Sequence, residues 1–182
     1  SLHDALPILK VVDSYKILYK GGSGELVEKK SRFIADLRPV ASEEEALEYI
    51  EEIRKKYWDA RHHCFAYIIG DRGQSARCSD DGEPSQTAGK PMMDVLAGEE
   101  LHDVCAVVTR YFGGTLLGTG GLVRAYSGAV KEGIKNCVIL EKKLAVRLNI
   151  TTDYSGVGKI QYIAAQGGID TLDTRYTDKA VF

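Results

Sequence analysis

The stretch that decides the fold is residues 103–122, which read DVCAVVTRYFGGTLLGTGGL. Its first part, Asp103 to Tyr111, is rich in β-branched residues and almost continuously apolar, which predicts a strand buried on both faces of a sheet. Glycines follow, and helical spacing predicts a helix from about Leu122 to Asn136. Two interpretations of the loop stay open: an anion site built from backbone amides at a helix start, or a tight strand-to-helix crossing that needs glycine.

Known nucleotide-binding motifs do not fit this loop. A dinucleotide pattern starting at Gly118 needs glycine where Val123 stands, and a P-loop starting at Gly113 has Thr119 in place of the required lysine. We therefore expect neither a nucleotide-hydrolysing site nor a dinucleotide site, and no cofactor.

Outward from this stretch, strands and helices are predicted in both directions. Ser42 and Glu45 form a capping box at the start of an amphipathic helix, with Leu47 beside the apolar face. The other predictions, in chain order, are a strand at 11–19, a turn at 21–24, a strand at 32–37, the helix face Ala46, Ile50, Ile53 and Tyr57, a strand at 64–69, a loop at 79–85 and a short helix at 91–96 with Pro91 first.

The C-terminal part is predicted to be a separate small unit. Glu141 to Lys143 is the predicted boundary, and the alternation from Leu144 to Ile150 predicts a half-buried strand. A helix over 157–164, ended by Gly167 and Gly168, and a second strand complete a β-α-β unit. Units of roughly 40 residues rarely hold a core alone, so we expect that this one either packs on the first domain or has lost its remaining elements through truncation of the C-terminus. The predicted organisation is a partly non-native leader at 1–14, a domain at 15–140 and a domain at 144–182.

Composition and charge exclude several classes of protein. The 182 residues are 44% hydrophobic and 27% charged, which is typical of a globular domain, and the net charge of −2 argues against a polycation that coats nucleic acid. No apolar run approaches the roughly 18 residues that cross a bilayer, so no membrane partner is expected. Four cysteines without a C-x-x-C pair favour a reducing, cytoplasmic location.

The loop at 79–85, SDDGEPS, is the candidate for catalysis. Its carboxylates suit acid–base chemistry or a hard cation, although the EF-hand spacing is absent and no metal site is expected. The alternative is a loop ordered by its own turns and capping a helix. A small hydrolase is therefore kept as the alternative function, with Asp80, Asp81, Glu83, Ser85, His62 and His63 as its candidate residues.

Basic residues recur along the chain, and two of them lie close in sequence to aromatic residues. Arg110 and Arg124 are close to Tyr111, Phe112 and Tyr126, a combination suited to phosphate contact with base stacking. A solvated charged surface above core aromatics is the alternative. The rest of the basic set is Lys29, Lys30, Arg32, Arg54, Lys55, Lys56 and Arg61.

Several separated segments together resemble the IMPACT/YigZ family. Their order and spacing match over about residues 15–140, and Gln86 departs from the pattern, which has glycine there. The matching segments are KKSRFIA at 29–35, DARHHCFAY at 59–67, SDDGEPS at 79–85, TAGKP at 87–91, VTRYFGG at 108–114 and GLVRAY at 121–126.

The resemblance implies an α+β fold with two domains. The first would be similar to domain four of elongation factor G, a sheet with helices on one face, and the second would be part of a ferredoxin-like domain similar to domain five. Eukaryotic relatives are linked to regulation of translation through a partner of a stress-response kinase, using a further domain that is missing here.

We therefore predict a non-enzymatic binding protein that contacts RNA or a ribosomal surface. A protein-protein adaptor of the translation machinery stays open, as does the oligomeric state. The residues predicted to contact nucleic acid are Arg110, Tyr111, Gly113, Gly114, Gly118, Gly120, Gly121, Arg124 and Lys90.

Overall fold

The computed structural model of the chain describes residues 14–182, apart from the side chains of Ala180 and Val181. The predicted leader lies outside the described residues except for Ser14. The elements are β1 (Ser14–Lys20), β2 (Gly22–Glu28), β3 (Ser31–Pro39), α1 (Glu43–Lys56), β4 (His62–Ile69), β5 (Ser75–Ser79), α2 (Gly89–Gly98), β6 (Leu101–His102), β7 (Val104–Tyr111), α3 (Gly118–Ile134), β8 (Val138–Lys143), β9 (Thr151–Thr152), α4 (Val157–Gly167), β10 (Arg175–Tyr176) and β11 (Ala180–Val181).

The main sheet has five antiparallel strands in the order β2-β3-β7-β4-β5. β7 is its central strand and is buried from Val104 to Arg110, which confirms the strand predicted to be buried on both faces. Its register places Tyr111 opposite Arg32 and Arg110 opposite His62. The end of β7 therefore lies beside the starts of β3 and β4.

Helices cover both faces of this sheet, which corrects the expectation that they lie on one. On β4, Cys64 and Ala66 face a core shared with α2 and α3, whereas Phe65 and Tyr67 face a second core shared with α1. Because β4 and β7 are apolar at nearly every position, both faces need cover from water. The predicted α+β class is confirmed.

Within the turn predicted at 21–24, Gly22 and Gly24 belong to a strand and Gly21 lies between β1 and β2. β2 runs through Gly22 and Gly24, and α3 packs directly on it. A Cβ at Gly24 would lie 2.4 Å from the backbone nitrogen of Gly133. Glycine at these positions allows α3 to pack close to β2. A glycine-rich stretch is compatible both with such packing and with a turn, so composition alone does not distinguish the two.

The helix starts agree with the sequence in part. The amide of Glu45 donates to Ser42 Oγ at 3.2 Å, and the Glu45 carboxylate accepts from the amide of Ala41 at 2.8 Å, so the capping box is confirmed with its return bond one residue earlier. On the same helix Leu47, predicted beside the apolar face, is exposed, and Tyr49, which the prediction did not include, is buried. α2 begins two residues before Pro91, and α3 begins one turn before Leu122.

A second sheet joins β1 to β8 and β6, with β8 antiparallel and β6 parallel. It places Glu141 opposite Lys16 and Lys143 opposite Ser14. The segment predicted as a boundary is thus the end of a paired strand, and the chain divides into two compact units after Leu144.

The second unit, 145–182, contains α4 and a small sheet in the order β10-β11-β9. α4 ends at Gly168 with φ of 61°, as the glycine pair predicts. The strand predicted over 144–150 is wrong for most of its length: Leu144, Val146 and Leu148 are exposed and pair with no strand of the described residues. Ile150 exchanges backbone hydrogen bonds with Phe182. The ferredoxin-like assignment stays a prediction.

None of the helices within residues 14–182 has the length and apolar character that crossing a bilayer requires. The four cysteines are free thiols.

Candidate nucleic-acid interface

One end of the main sheet gathers most of the predicted site residues; we call it the sheet end. Here the β2–β3 hairpin turns at Lys29 and Lys30, which have φ of 45° and 65°. The Gly113 amide donates to Ser31 Oγ at 3.0 Å, and a Cβ at Gly113 would lie 2.1 Å from the carbonyl carbon of Lys30. The hairpin tip is therefore in contact with residues 112–121, the glycine loop.

A second loop at the same end, residues 79–89, is called the acidic loop. Its Asp80 carboxylate accepts hydrogen bonds from the amides of Gln86, Ala88 and Gly89, at 2.8, 3.0 and 2.9 Å. Since α2 begins at Gly89, Asp80 satisfies the first amides of that helix. This is a structural role, as in the alternative interpretation of the loop.

Asp81 links the acidic loop to α1 and β4. Its carboxylate accepts from Arg54 at 2.9 Å and from the His63 amide at 2.7 Å. Burial raises the pKa of this carboxyl, but the hydrogen bonds from Arg54 and the His63 amide outweigh it, so the pKa lies below its usual value. A general acid needs a raised carboxyl pKa, the opposite shift.

The two histidines are also held by the fold. His62 Nδ1 donates to the carbonyl of Asp81 at 2.8 Å, and His63 Nε2 donates to the carbonyl of Tyr57 at 2.9 Å. Each ring therefore orders a turn of the backbone. His63 is buried, while His62 is half-buried beside Gly82.

Glu83 is the buried centre of the acidic loop. Arg110 Nη1 donates to both of its oxygens, at 2.7 and 2.9 Å, and the Tyr126 hydroxyl donates at 2.6 Å. The Arg110 guanidinium also lies over the rings of Phe33 and Phe112. A buried guanidinium requires such a carboxylate.

This arrangement corrects two predictions. Arg110 was expected to contact phosphate, but it is 7% exposed and its charge is neutralised by Glu83. Tyr126, expected near the stacking surface, is fully buried in the core beneath α3. Position 110 faces the same side of β7 as Val108, the side that α3 covers, so its side chain extends into the interior.

The geometry does not favour the hydrolase. Asp80, Asp81 and Glu83 all bind groups of the fold itself, and burial raises the pKa of the neighbouring Cys64 thiol, which opposes thiolate formation. Ser85 is exposed. A cavity of about 570 Å³ in this unit lies near the opposite end of β4, beside Ile68 and His102, and none of the candidate residues lines it. Among the described residues, no group of three or more His, Cys, Asp or Glu is placed to hold a metal ion.

The glycine loop leads into an uncapped helix. Among residues 14–182, no side chain hydrogen-bonds the first amides of α3; its N-cap residue, Leu117, has no polar side chain, and its first turn has no acidic residue. Gly114 and Gly118 have φ of 88° and 72°, and a Cβ at either would meet nothing within 4 Å. Gly121 packs against Leu117, so Gly114, Gly118 and Gly120 are the open glycines of the predicted set.

The cations at the sheet end fall into two groups. Arg32 pairs with Glu25, and Lys90, predicted to contact nucleic acid, pairs with Asp94. Arg54, Lys56 and Arg110 pair with Asp81, Asp36 and Glu83. At the sheet end, the exposed cations that have no carboxylate partner among the described residues are Lys29, Lys30, Lys55, Arg61 and Arg124.

Two exposed aromatic rings accompany these cations. Phe112 is 58% exposed and Trp58 is 81% exposed. The predicted residue Tyr111 is half-buried, and its hydroxyl donates to Asp59 at 2.8 Å. Sequence analysis missed Trp58 because it belongs to no motif. Its position just after the amphipathic α1 was the available signal.

Comparison with known proteins identifies the family. The family model of the Impact N-terminal domain matches residues 29–134. A Bacillus subtilis protein, IMPACT family member YvyE, is 42% identical over 172 residues, which cover 94% of this chain and 79% of that protein. The chain belongs to the IMPACT family.

Two further similar proteins are a relative from Escherichia coli and a protein of known structure. IMPACT family member YigZ of Escherichia coli is 41% identical over 140 residues, covering 76% of this chain and 69% of that protein. A crystal structure described as a hypothetical protein is similar, with a TM-score of 0.69 and 36% identity over 93% of this chain and 83% of that one. The resemblance inferred from the separated segments is confirmed.

Proposed function

We propose that this IMPACT-family chain is a non-enzymatic binding protein of the translation apparatus that contacts RNA, free or on a ribosomal surface, through the sheet end. The observation that carries the proposal is the contact between the Lys29–Lys30 hairpin tip and the loop that opens the uncapped α3. Exposed cations and unsatisfied amides on one surface suit a polyanion.

Arg124 extends this surface along α3. A Cβ at Gly120 would lie 3.5 Å from Arg124 Nη1, so the guanidinium lies beside the first turn of the helix. Its charge therefore adds to the positive end of the helix dipole and to the open amides. A phosphate at this position would meet a full charge and backbone donors together.

The link with translation rests on the family. The resemblance to the IMPACT family implies a link with regulation of translation, and the family model matches residues 29–134, within the first unit. We extend that role to this chain, with a protein of the translation machinery as a second kind of partner and the cytoplasm as its location.

Salt dependence of RNA affinity tests the proposal. The full chain is titrated into a labelled single-stranded RNA at several salt concentrations, and the same is done for Arg124→Ala. We expect binding that weakens with salt, and a slope that falls by about 0.7 in the variant because one phosphate contact is lost.

Lys131→Ala is the matched control, since it removes an exposed cation from the far end of the same helix. Its slope and affinity should equal those of the wild type. Absence of RNA binding, or binding that does not respond to salt, would overturn the proposal.

A further inference from the structure

Trp58 is exposed to an extent that the fold does not require. It is the single tryptophan of the chain and is 81% exposed, just beyond the end of α1. Its contribution to the core is small, because α1 is anchored by other residues, including Tyr49, Ile50 and Ile53. A large ring left in water suits the face of a partner.

Hydrogen bonds hold the turn that carries Trp58 on both sides of this residue. The amide of Ala60 donates to the carbonyl of Tyr57 at 3.0 Å, and that carbonyl also accepts from His63. Asp59 accepts from the Tyr111 hydroxyl at the end of β7. The backbone on either side of Trp58 is thus fixed to α1, β4 and β7, so little backbone freedom remains to be lost on binding.

The charge around Trp58 favours a polyanion over an apolar protein surface. Of the four basic residues between 54 and 61, Arg54 and Lys56 pair with Asp81 and Asp36, and Asp59 is the acidic residue of this span. Lys55 and Arg61 are exposed without a carboxylate partner among the described residues, and covering them with an apolar surface would cost their hydration. Phosphates would neutralise them while a ring stacks.

We infer that Trp58 stacks on an unpaired base, which makes single-stranded RNA, not duplex RNA, the ligand class of the sheet end. This inference rests on the proposed function. In a duplex the faces of the bases are covered by their neighbours, so an exposed indole finds a partner only where a base is unpaired. Phosphate contacts alone do not distinguish the two forms.

Because Trp58 is the only indole, its fluorescence reports contact at this one site. The full chain is titrated with oligoadenylate and with an RNA duplex of equal length. We expect saturable quenching by oligoadenylate and weaker binding with little quenching by the duplex.

Affinity for labelled oligoadenylate is then measured by anisotropy for three variants. Trp58→Ala should weaken binding about fivefold or more, and Trp58→Phe should retain most of the affinity because the ring is kept. Leu47→Ala is the control, since Leu47 is 45% exposed on α1, the helix that Trp58 follows, but lies near its start and has no aromatic face. It should bind like the wild type.

The outcomes separate the two proposals. Wild-type affinity in Trp58→Ala, or equal affinity and quenching with the duplex, would overturn the stacking role while leaving RNA binding intact. Failure of the wild-type chain to bind either RNA would overturn both. Circular dichroism of each variant checks that the fold is unchanged.

Discussion

Two helices start at the same end of the main sheet, and their first amides are satisfied differently. At α2, the Asp80 carboxylate accepts from Gln86, Ala88 and Gly89. At α3, no side chain among residues 14–182 performs this role, and Gly114, Gly118 and Gly120 are open. The chain supplies its own anion to one helix start, and the other remains available to an anion from outside.

The same contrast holds for the side-chain charges of the two loops. Glu83 in the acidic loop is buried against Arg110, whereas Arg124 beside the glycine loop is exposed with no carboxylate partner among the described residues. The acidic loop should therefore govern the free energy of unfolding, and the glycine loop should govern binding. The following substitutions test that division.

The largest effect is expected from Glu83→Ala. Removing this carboxylate leaves the Arg110 guanidinium buried without its counter-charge and the Tyr126 hydroxyl without its acceptor. The free energy of unfolding, measured with urea, should fall by about 3–5 kcal/mol. At temperatures where the variant is folded, its affinity for RNA should be unchanged.

The control for this prediction removes both charges. Glu83→Leu combined with Arg110→Met fills the site with apolar groups, so the double variant should be more stable than Glu83→Ala. A loss below about 1 kcal/mol in Glu83→Ala would mean that Arg110 finds solvent or another partner, and the contrast between the loops would fail.

A smaller loss is expected from Asp80→Ala, which removes the cap of α2. Three backbone amides lose a charged acceptor, and the free energy of unfolding should fall by about 2 kcal/mol. Asp94→Ala on the same helix removes only an exposed ion pair with Lys90, so its effect should stay within about 0.5 kcal/mol. Equal effects of the two substitutions would contradict the capping role.

The sequence predicted those features that depend on neighbouring residues. The capping box of α1 needs only two residues three apart, and the continuous apolar run of β7 predicts that the strand is buried. The partnership of Arg110 with Glu83 joins residues 27 apart on a strand and a loop, so no local pattern contains it. Placement of helices on both faces likewise depends on how the strands are ordered in the sheet.

The residues of the candidate site also divide into those that a local sequence pattern predicts and those that depend on tertiary contacts. Glycines and cations were found from their spacing, because open helix starts have a local signature. Which cations remain without a partner depended on tertiary contacts: Arg110 is neutralised, while Arg124 is not paired among residues 14–182. The exposure of Trp58 is also a tertiary property, since α1 ends just before it.

The smallest effect, and one of opposite sign, is expected from Gln86→Gly. Gln86 has φ of 62°, the left-handed region, and its amide donates to Asp80 at 2.8 Å, so the capping contact depends on this conformation. A side chain in the left-handed region costs about 1–2 kcal/mol, and glycine removes this cost. Because glycine also gives the unfolded chain more freedom, part of the gain is lost, and the free energy of unfolding should rise by about 0.5–1 kcal/mol.

Ser85→Gly is the matched control for that gain. Ser85 is the exposed neighbour of Gln86 and is not in the left-handed region, so glycine there only adds freedom to the unfolded chain. It should lower the free energy of unfolding by about 0.5–1 kcal/mol, measured by the same urea titration. If both substitutions lower the free energy of unfolding equally, the left-handed conformation of Gln86 does not destabilise the protein. If they differ in sign as expected, the acidic loop tolerates backbone strain at Gln86 because this conformation holds the Asp80 carboxylate at the start of α2. The first amides of α3 have no such carboxylate among the described residues and stay accessible to an external anion.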